Sequence, residues 1–175
     1  MTYYHGTDSL DTMIKIIESG GIKSKNKRQA DYDTLYNGDD YISVGKLDDV
    51  SDYTADSCFF GWIFGKPTFI ISDDISVIKP EFRWGPFNPD KDRVSIFKDE
   101  YHVRDEIPLD KIEGIAIPFS LLEKDRRTLM NILKLLRLAS SLNWSVYESD
   151  LDLIERVNTN NVFDGMAKNN KRNYN

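Results

Sequence analysis

The sequence predicts a single α+β domain in which a strand-rich core is flanked by a helix near each end. Two segments with apolar residues at helical spacing, 10–17 and 129–139, stand towards the two ends of the chain. Between them, short runs of β-branched and aromatic residues alternate with turn-forming residues, a pattern typical of strands. The length of 175 residues suits one domain with a tail. We expect the domain to span 1–157 and an Asn-rich, disordered tail to span 158–175.

The opening of the chain predicts a strand, a turn and a helix in that order. Residues 2–4 favour a strand that runs into His5-Gly6-Thr7. Asp8 or Ser9 can cap the following helix, because a short side-chain oxygen accepts from the free N–H groups of the first turn. Gly20-Gly21 stands where a glycine commonly ends a helix. The expected apolar face of this helix consists of Leu10, Met13, Ile14 and Ile17.

The middle of the chain predicts short strands separated by two longer loops. The loops span 23–40, which begins with a basic cluster at 23–28, and 80–93, which is rich in proline and glycine. The strands expected here span 41–44, 59–64 and 67–71, with a short helix or turn over 47–53 and a short strand or helical turn over 75–78.

The second half predicts strands that lead into a long helix. The predicted strands span 94–97, 101–103, 112–117 and 145–147, with a turn over 108–111 and a last helix over 151–157. The expected buried face of the long helix consists of Leu129, Ile132, Leu133, Leu136 and Ala139.

Composition excludes several classes of function. The net charge of −6 and the pI near 5.0 lack the basic footprint of a general nucleic-acid coat. The single cysteine, Cys58, excludes an intramolecular disulfide and a cysteine-based zinc site. The two histidines, His5 and His102, are too few for most histidine-rich metal centres. We therefore expect no metal cofactor.

The N-terminal residues indicate where the protein works. Residues 1–5 contain neither a basic region nor an apolar one, so they do not predict a signal peptide. No run approaches the ~20 apolar residues that a membrane span needs. We expect a soluble, cytoplasmic protein with no membrane partner, and export by a route without a signal peptide stays open.

Three groups of residues are candidates for a functional site. The first is His5-Gly6-Thr7, where the glycine lets a ligand approach the backbone and the Thr7 hydroxyl can bind a ribose hydroxyl or an amide. Taken alone, the tripeptide favours the alternative of a purely structural role, in which His5 caps the strand and Gly6 makes the turn.

The second candidate is Asp99-Glu100, between two predicted strands. A carboxylate there can accept from a sugar hydroxyl and stabilise a developing oxocarbenium ion, as glycosyl transfer requires. A solvated charge pair is the alternative. Glu106 and Glu113 are further acids in the same stretch, and the residues alone do not decide among the four.

The third candidate is a set of tyrosines: Tyr41, Tyr53 and, more loosely, Tyr36. An aromatic face can stack on a flat heterocycle such as nicotinamide, although ordinary packing of strand tyrosines is the default. The basic cluster at 23–28 can hold a pyrophosphate, or it forms a solvated face.

Taken in order, three segments make the chain resemble the ADP-ribosyltransferase superfamily. They are "YYHGTDSLDTMIKIIESGGI" at the start, "DYISVGK" in the middle and "KDEYHVRDEIPLDKIEGIAIP" late in the domain. The resemblance covers about residues 3–118. It implies a split β-sandwich core with flanking helices, and NAD as the substrate. Ser-Val-Gly replaces Ser-Thr-Ser, which disfavours the arginine-modifying toxins of the superfamily. His5 stands where those toxins carry an arginine, which points to the His-x-Glu branch, a branch that includes poly(ADP-ribose) polymerases and DNA-targeting toxins.

The resemblance also implies roles for single residues. Glu100 would be the catalytic acid that binds the 2′-hydroxyl of the nicotinamide ribose. His5 would bind the adenosine ribose, Gly6 the nicotinamide carboxamide through its backbone, and Thr7 would support the ribose. Ser43 falls where other members carry either the serine of the Ser-Thr-Ser form or the tyrosine of the His-Tyr-Glu form. Tyr53 would stack on nicotinamide, and Tyr41 would be a further NAD contact.

The function that follows is NAD-dependent mono-ADP-ribosyl transfer to a macromolecular acceptor, a protein or a nucleic acid. The class includes bacterial and phage toxins and effectors, so an antitoxin or immunity protein is an expected partner. The alternative is a non-catalytic module on the same fold that binds NAD, ADP-ribose or a partner protein.

Overall fold

The structure is a computed structural model, and it describes residues 2–28, 40–46, 65–82, 94–95, 97, 99–118, 121 and 126–148. The expected elements over 47–53, 59–64 and 151–157, the tail over 158–175 and Tyr53 lie outside the described residues. So do Tyr36, Cys58 and most of the predicted loop over 80–93.

Ten strands and three α-helices follow one another in the described part of the chain. The strands are β1 (Tyr3–Gly6), β2 (Gly21–Lys23), β3 (Tyr41–Lys46), β4 (Thr68–Ile71), β5 (Glu81–Phe82), β6 (Val94–Ser95), β7 (Glu100–Arg104), β8 (Glu106–Pro108), β9 (Ile112–Ile117) and β10 (Ser145–Glu148). The helices are α1 (Leu10–Glu18), α2 (Lys25–Arg28) and α3 (Arg126–Ser141), and a short 3₁₀ helix spans Leu109–Lys111.

Six strands form one sheet in the order β10-β9-β4-β1-β3-β7. All neighbours pair antiparallel except β10 and β9, which are parallel. The helix α3 supplies the crossover that a parallel pair requires, since it lies between these two strands in the chain. The predicted α+β class is confirmed at this level: a mostly antiparallel sheet with flanking helices.

Helix α1 begins and ends where the sequence signals predict. Ser9 is the N-cap, and its hydroxyl accepts from the Thr12 amide over 3.1 Å. The four predicted apolar residues of α1 are all buried. After Ser19, Gly20 takes a positive φ of 90°, a conformation that glycine adopts without steric cost, and the chain turns into β2.

Helix α3 spans the predicted region but buries a different face. Ile132, Leu135 and Ala139 are buried, whereas Leu129, Leu133 and Leu136 are between 41% and 48% exposed. The expectation for those three leucines was therefore wrong. The helix has apolar residues on two faces, and spacing alone could not decide which face meets the sheet. The observed face of α3 is the one that allows contact with α1, where Asp11 accepts from Arg127 at 3.0 Å and from Asn131 at 2.9 Å.

The core lies between the sheet and the two longer helices. Alternate strand residues, such as Tyr3, Val44 and Phe69, join the buried faces of α1 and α3 in one cluster. Strand β4, in the middle of the sheet, is buried on both faces, which explains its continuous apolar run.

A small second sheet was not predicted. Strands β2 and β8 pair antiparallel, with Ile22 opposite Ile107. A side chain on Gly21 would overlap the Ile107 carbonyl, so glycine is required where the two strands meet. Part of the predicted loop over 23–40 is thus a strand end followed by the short helix α2. No helix within the described ranges is both long enough and apolar enough to span a bilayer.

We predict that Met13→Ala lowers the free energy of unfolding by about 2–5 kcal/mol, because Met13 is fully buried in the core and its loss leaves a cavity. The matched control is Met130→Ala on α3, where the side chain is 57% exposed. That control should change the free energy of unfolding by less than about 0.5 kcal/mol. Urea denaturation followed by circular dichroism measures both, and equal losses would contradict the assignment of the core.

We also predict a pH dependence for the ion pair between Asp74, in the turn after β4, and Lys111, at the end of the 3₁₀ helix. Lys111 Nζ lies 2.6 Å from Asp74 Oδ2, and this hydrogen bond, with a smaller contribution from the Ser72 hydroxyl, holds the pKa of Asp74 below its ordinary 3.8. The same hydrogen bond raises the pKa of Lys111 above 10.5. The pair therefore stabilises the fold above pH 3.8 and loses this effect as pH falls through the folded-state pKa of Asp74.

At high pH the sign reverses for the lysine, whose contribution is complete below 10.5 and is lost as pH rises through its folded-state pKa. The effect is small because both groups are solvent-exposed. Denaturation of wild type and Lys111→Met across pH measures it. The difference in unfolding free energy should be present near neutral pH and vanish at both ends. A difference that does not change with pH would refute the pairing.

Candidate functional site

Three neighbouring strands carry most of the predicted site residues. His5 and Gly6 lie on β1, Tyr41 and Ser43 on β3, and Glu100 on β7. These strands are consecutive in the sheet, in the order β1-β3-β7. Segments that are far apart in the sequence are therefore adjacent in space.

The register of β3 against β7 decides which side chains meet. Ser43 lies opposite His102, and Gly45 lies opposite Glu100. On its other edge, His102 exchanges two backbone hydrogen bonds with Ile78, at 2.8 and 2.9 Å. The amide and carbonyl of His102 thus point away from β3, which makes Ser43 and His102 a non-hydrogen-bonded pair, the type whose side chains stand closest.

Glu100 and His102 form a buried polar pair on one face of β7. Their exposed fractions are 4% and 1%, and His102 Nε2 lies 3.4 Å from Glu100 Oε1. Among the described residues, neither ring nitrogen of His102 has a hydrogen-bond partner. The ring of Tyr41, on β3, lies beside the imidazole with a centroid distance of 5.8 Å. The face therefore brings together an acid, an imidazole and a phenol.

His5 bridges the point where β1 and β3 stop pairing. Their ladder ends at Tyr4 opposite Gly45. Beyond it, His5 Nδ1 lies 2.8 Å from the Ser43 carbonyl oxygen. A carbonyl can only accept, so Nδ1 carries the proton in this contact. This hydrogen bond therefore links β1 to β3 beyond the end of their ladder, and it holds the His5 ring in one orientation.

The turn after His5 is held by Thr7. Its amide donates to the Pro67 carbonyl over 2.7 Å, and its buried hydroxyl lies 3.1 Å from the same oxygen and 3.2 Å from the Ser9 carbonyl. The hydroxyl proton is therefore committed to the main chain, and Thr7 does not join the Tyr41–Glu100–His102 group. Gly6 is paired opposite Thr68 on β4.

Burial separates the four acids that the sequence left open. Glu106 is exposed and lies 4.0 Å from Lys27, and Glu113 is exposed on β9. Asp99 and Glu100 are both buried, and the Asp99 carbonyl accepts from the Lys46 amide over 3.0 Å. Glu100 is the buried acid whose Oε1 lies 3.4 Å from Nε2 of His102.

The basic cluster at 23–28 is partly engaged in local contacts. Lys23 Nζ donates to the Ser19 carbonyl over 2.6 Å, and Lys27 lies near Glu106. These contacts favour the solvated-face interpretation. Within the described residues, no group of three metal-ligating side chains comes together.

His102 is the functional candidate that sequence reasoning missed. In the sequence it counts only as one of two histidines, too few for most histidine-rich metal centres. The signal that could have found it is its spacing from Glu100, because residues two apart on a strand share a face. Comparisons with known proteins add no assignment: no known family matches the chain, and no curated protein does either.

We predict that His5→Leu lowers the free energy of unfolding by about 1 kcal/mol, because the Ser43 carbonyl loses the donor that replaces the ladder. His5→Asn should retain most of the stability, since the side-chain amide of Asn can donate from nearly the position of Nδ1. Chemical denaturation of the two variants beside wild type measures the difference. Equal losses in both variants would show that the Nδ1 hydrogen bond does not stabilise the fold.

Proposed function

We propose that the protein is an NAD-dependent mono-ADP-ribosyltransferase with an ADP-ribosyltransferase-like split β-sandwich core. The observation that carries the proposal is the β1-β3-β7 order of the three strands that hold His5, Ser43 and Glu100. The family resemblance requires these three segments to be neighbours, and nothing in their separate sequences does. In the register, Ser43 and Glu100 share one face of the sheet, whereas His5 lies opposite Phe69, on the core face.

The chemistry of the buried face suits this reaction. The bond that breaks joins nicotinamide to C1′ of its ribose, and nicotinamide leaves with the bonding electron pair. The ribose then carries positive charge at C1′ and its ring oxygen until an acceptor nucleophile attacks C1′. A carboxylate in a site of low dielectric stabilises that charge, and Glu100 is the buried acid that has an imidazole beside it.

The other residues would bind and orient NAD. Tyr41, half-buried next to His102, offers an aromatic face for a ring of the dinucleotide. Gly6 offers backbone that a ligand can approach, and His5 is held by Ser43 in a fixed orientation. The acceptor is a protein or a nucleic acid, and an antitoxin or immunity protein is the partner that a toxin of this class would have.

The burial of Glu100 favours a second candidate, a non-catalytic module that binds NAD, ADP-ribose or a partner protein. A carboxylate that meets a ribose hydroxyl must be reachable, whereas only 4% of Glu100 is exposed. The Thr7 hydroxyl, expected to support the ribose, already donates to the main chain. A module of this kind would bind NAD without releasing nicotinamide.

We predict that Glu100→Gln lowers nicotinamide release from NAD by about 10²–10³-fold, because the amide cannot stabilise the positive ribose. The matched control is Glu106→Gln, which makes the same change of charge at an exposed position of β8 and should leave release unchanged. Chromatographic assay of free nicotinamide, with and without a candidate acceptor, measures all three proteins.

The same samples separate the two candidate functions. Release that Glu100→Gln abolishes and Glu106→Gln preserves supports the transferase. No release from wild type, together with a thermal unfolding midpoint that rises on addition of NAD, favours the binding module. Neither release nor a rise in the midpoint argues against both.

A further inference from the structure

His102 is a buried polar side chain to which the proposed reaction gives no role. It is 1% exposed, and neither ring nitrogen makes a hydrogen bond within the part of the chain that the structure describes. Native proteins pair the large majority of their buried side-chain polar atoms, so an unpaired imidazole requires an explanation. An imidazole that only filled space could be replaced by an apolar side chain without this cost.

The surroundings of His102 restrict where its ring can point. Its backbone is held on both edges, by Ile78 on one side and by β3 on the other. The ring of Tyr41 lies beside the imidazole, tilted by 34°. With the strand and one ring face fixed, Nε2 lies towards the Glu100 carboxylate, with 3.4 Å between Nε2 and Oε1.

We propose that His102 is the positioning residue of Glu100: its Nε2–H donates to Oε1 and orients the carboxylate towards the ribose of NAD. This inference rests on the proposed function. A separation of 3.4 Å is longer than the ~2.7–3.2 Å of an N–H···O hydrogen bond. Hydrogen bonds in catalytic sites are often long before substrate binds and tighten in the complex, so we expect this one to shorten when NAD binds.

The arrangement divides the two carboxylate oxygens between two tasks. In the proposed complex, Oε1 accepts from His102 and Oε2 accepts from the 2′-hydroxyl. Orientation of this kind matters most in the transition state, where the ribose is positive. Loss of His102 should therefore lower kcat and leave KM nearly unchanged.

The activity test compares two substitutions at position 102. His102→Leu removes the donor, and we expect kcat for nicotinamide release to fall by about 10- to 100-fold, with KM within about twofold of wild type. His102→Gln restores an N–H donor near the position of Nε2 and should recover most of kcat. Thermal unfolding of each variant shows that the fold is intact. Equal losses in both variants, or a loss that appears in KM, would overturn the positioning role.

A second measurement does not depend on activity. The chain has two histidines, so its imidazole ¹⁵N spectrum contains two rings, and His102→Leu assigns them. The Nε2 resonance of His102, recorded with saturating NAD, should shift in Glu100→Gln and stay unchanged in the exposed control Glu106→Gln. A spectrum of His102 that Glu100→Gln leaves unchanged overturns the proposal, even if the protein releases nicotinamide.

The two results also separate this inference from the proposed function. If wild type releases no nicotinamide, the transferase proposal fails and the positioning role fails with it, whatever the spectrum shows. If wild type is active but Glu100→Gln leaves the His102 resonance unchanged, the transferase proposal stands and only the role of His102 is wrong.

Discussion

The antiparallel register between β3 and β7 is the constraint on which the candidate site depends. Because side chains alternate between the faces of a strand, a slip of one residue would exchange every side chain on β7 between its two faces. Tyr101 and Val103 would leave the core, and Glu100 and His102 would enter it. The register is supported from the apolar side, where the Tyr101 ring meets Tyr3 edge-on at 5.6 Å between centroids.

A cation and a second pairing strengthen the same register. Lys79 Nζ lies 3.9 Å from the centre of the Tyr101 ring, a favourable cation–π distance. Lys79 follows Ile78, whose backbone is paired with His102. Residues 78–79 thus pair with the backbone of β7 and also cover Tyr101, on the face of β7 opposite to Glu100 and His102. Apolar and backbone contacts therefore fix the position of the strand that carries the polar pair.

The parts of the fold that sequence predicted are those with local signals. The Ser9 cap, the apolar stripe of α1 and the continuous run of β4 each involve a few neighbouring residues and a known period. The face of α3 could not be predicted, since a helix with apolar residues on two sides needs its partner, α1, to select one. Strands β2 and β8 could not be predicted, because three residues are too few to show alternation and each strand forms only by pairing with the other.

The site was less predictable than the fold, because its contacts join distant residues. Sequence supplied four acids and no means of choosing among them, and the family resemblance selected Glu100. The structure adds the burial that distinguishes it from Glu106 and Glu113. The only sequence signal for His102 is its spacing from Glu100. Its surroundings are formed by Tyr41 and Ser43, which lie far away in the sequence.

The burial of Glu100 and His102 also bears on why these residue types occur there. Moving a carboxylate out of water is costly, and replacing a buried polar pair by apolar side chains of similar volume often leaves stability unchanged or raises it. Strand β7 lies at the edge of an apolar sheet, where two such side chains could pack. Stability therefore does not explain this pair. A preorganised site has a cost of this kind, which makes β7 the strand on which a function is most reasonably sought.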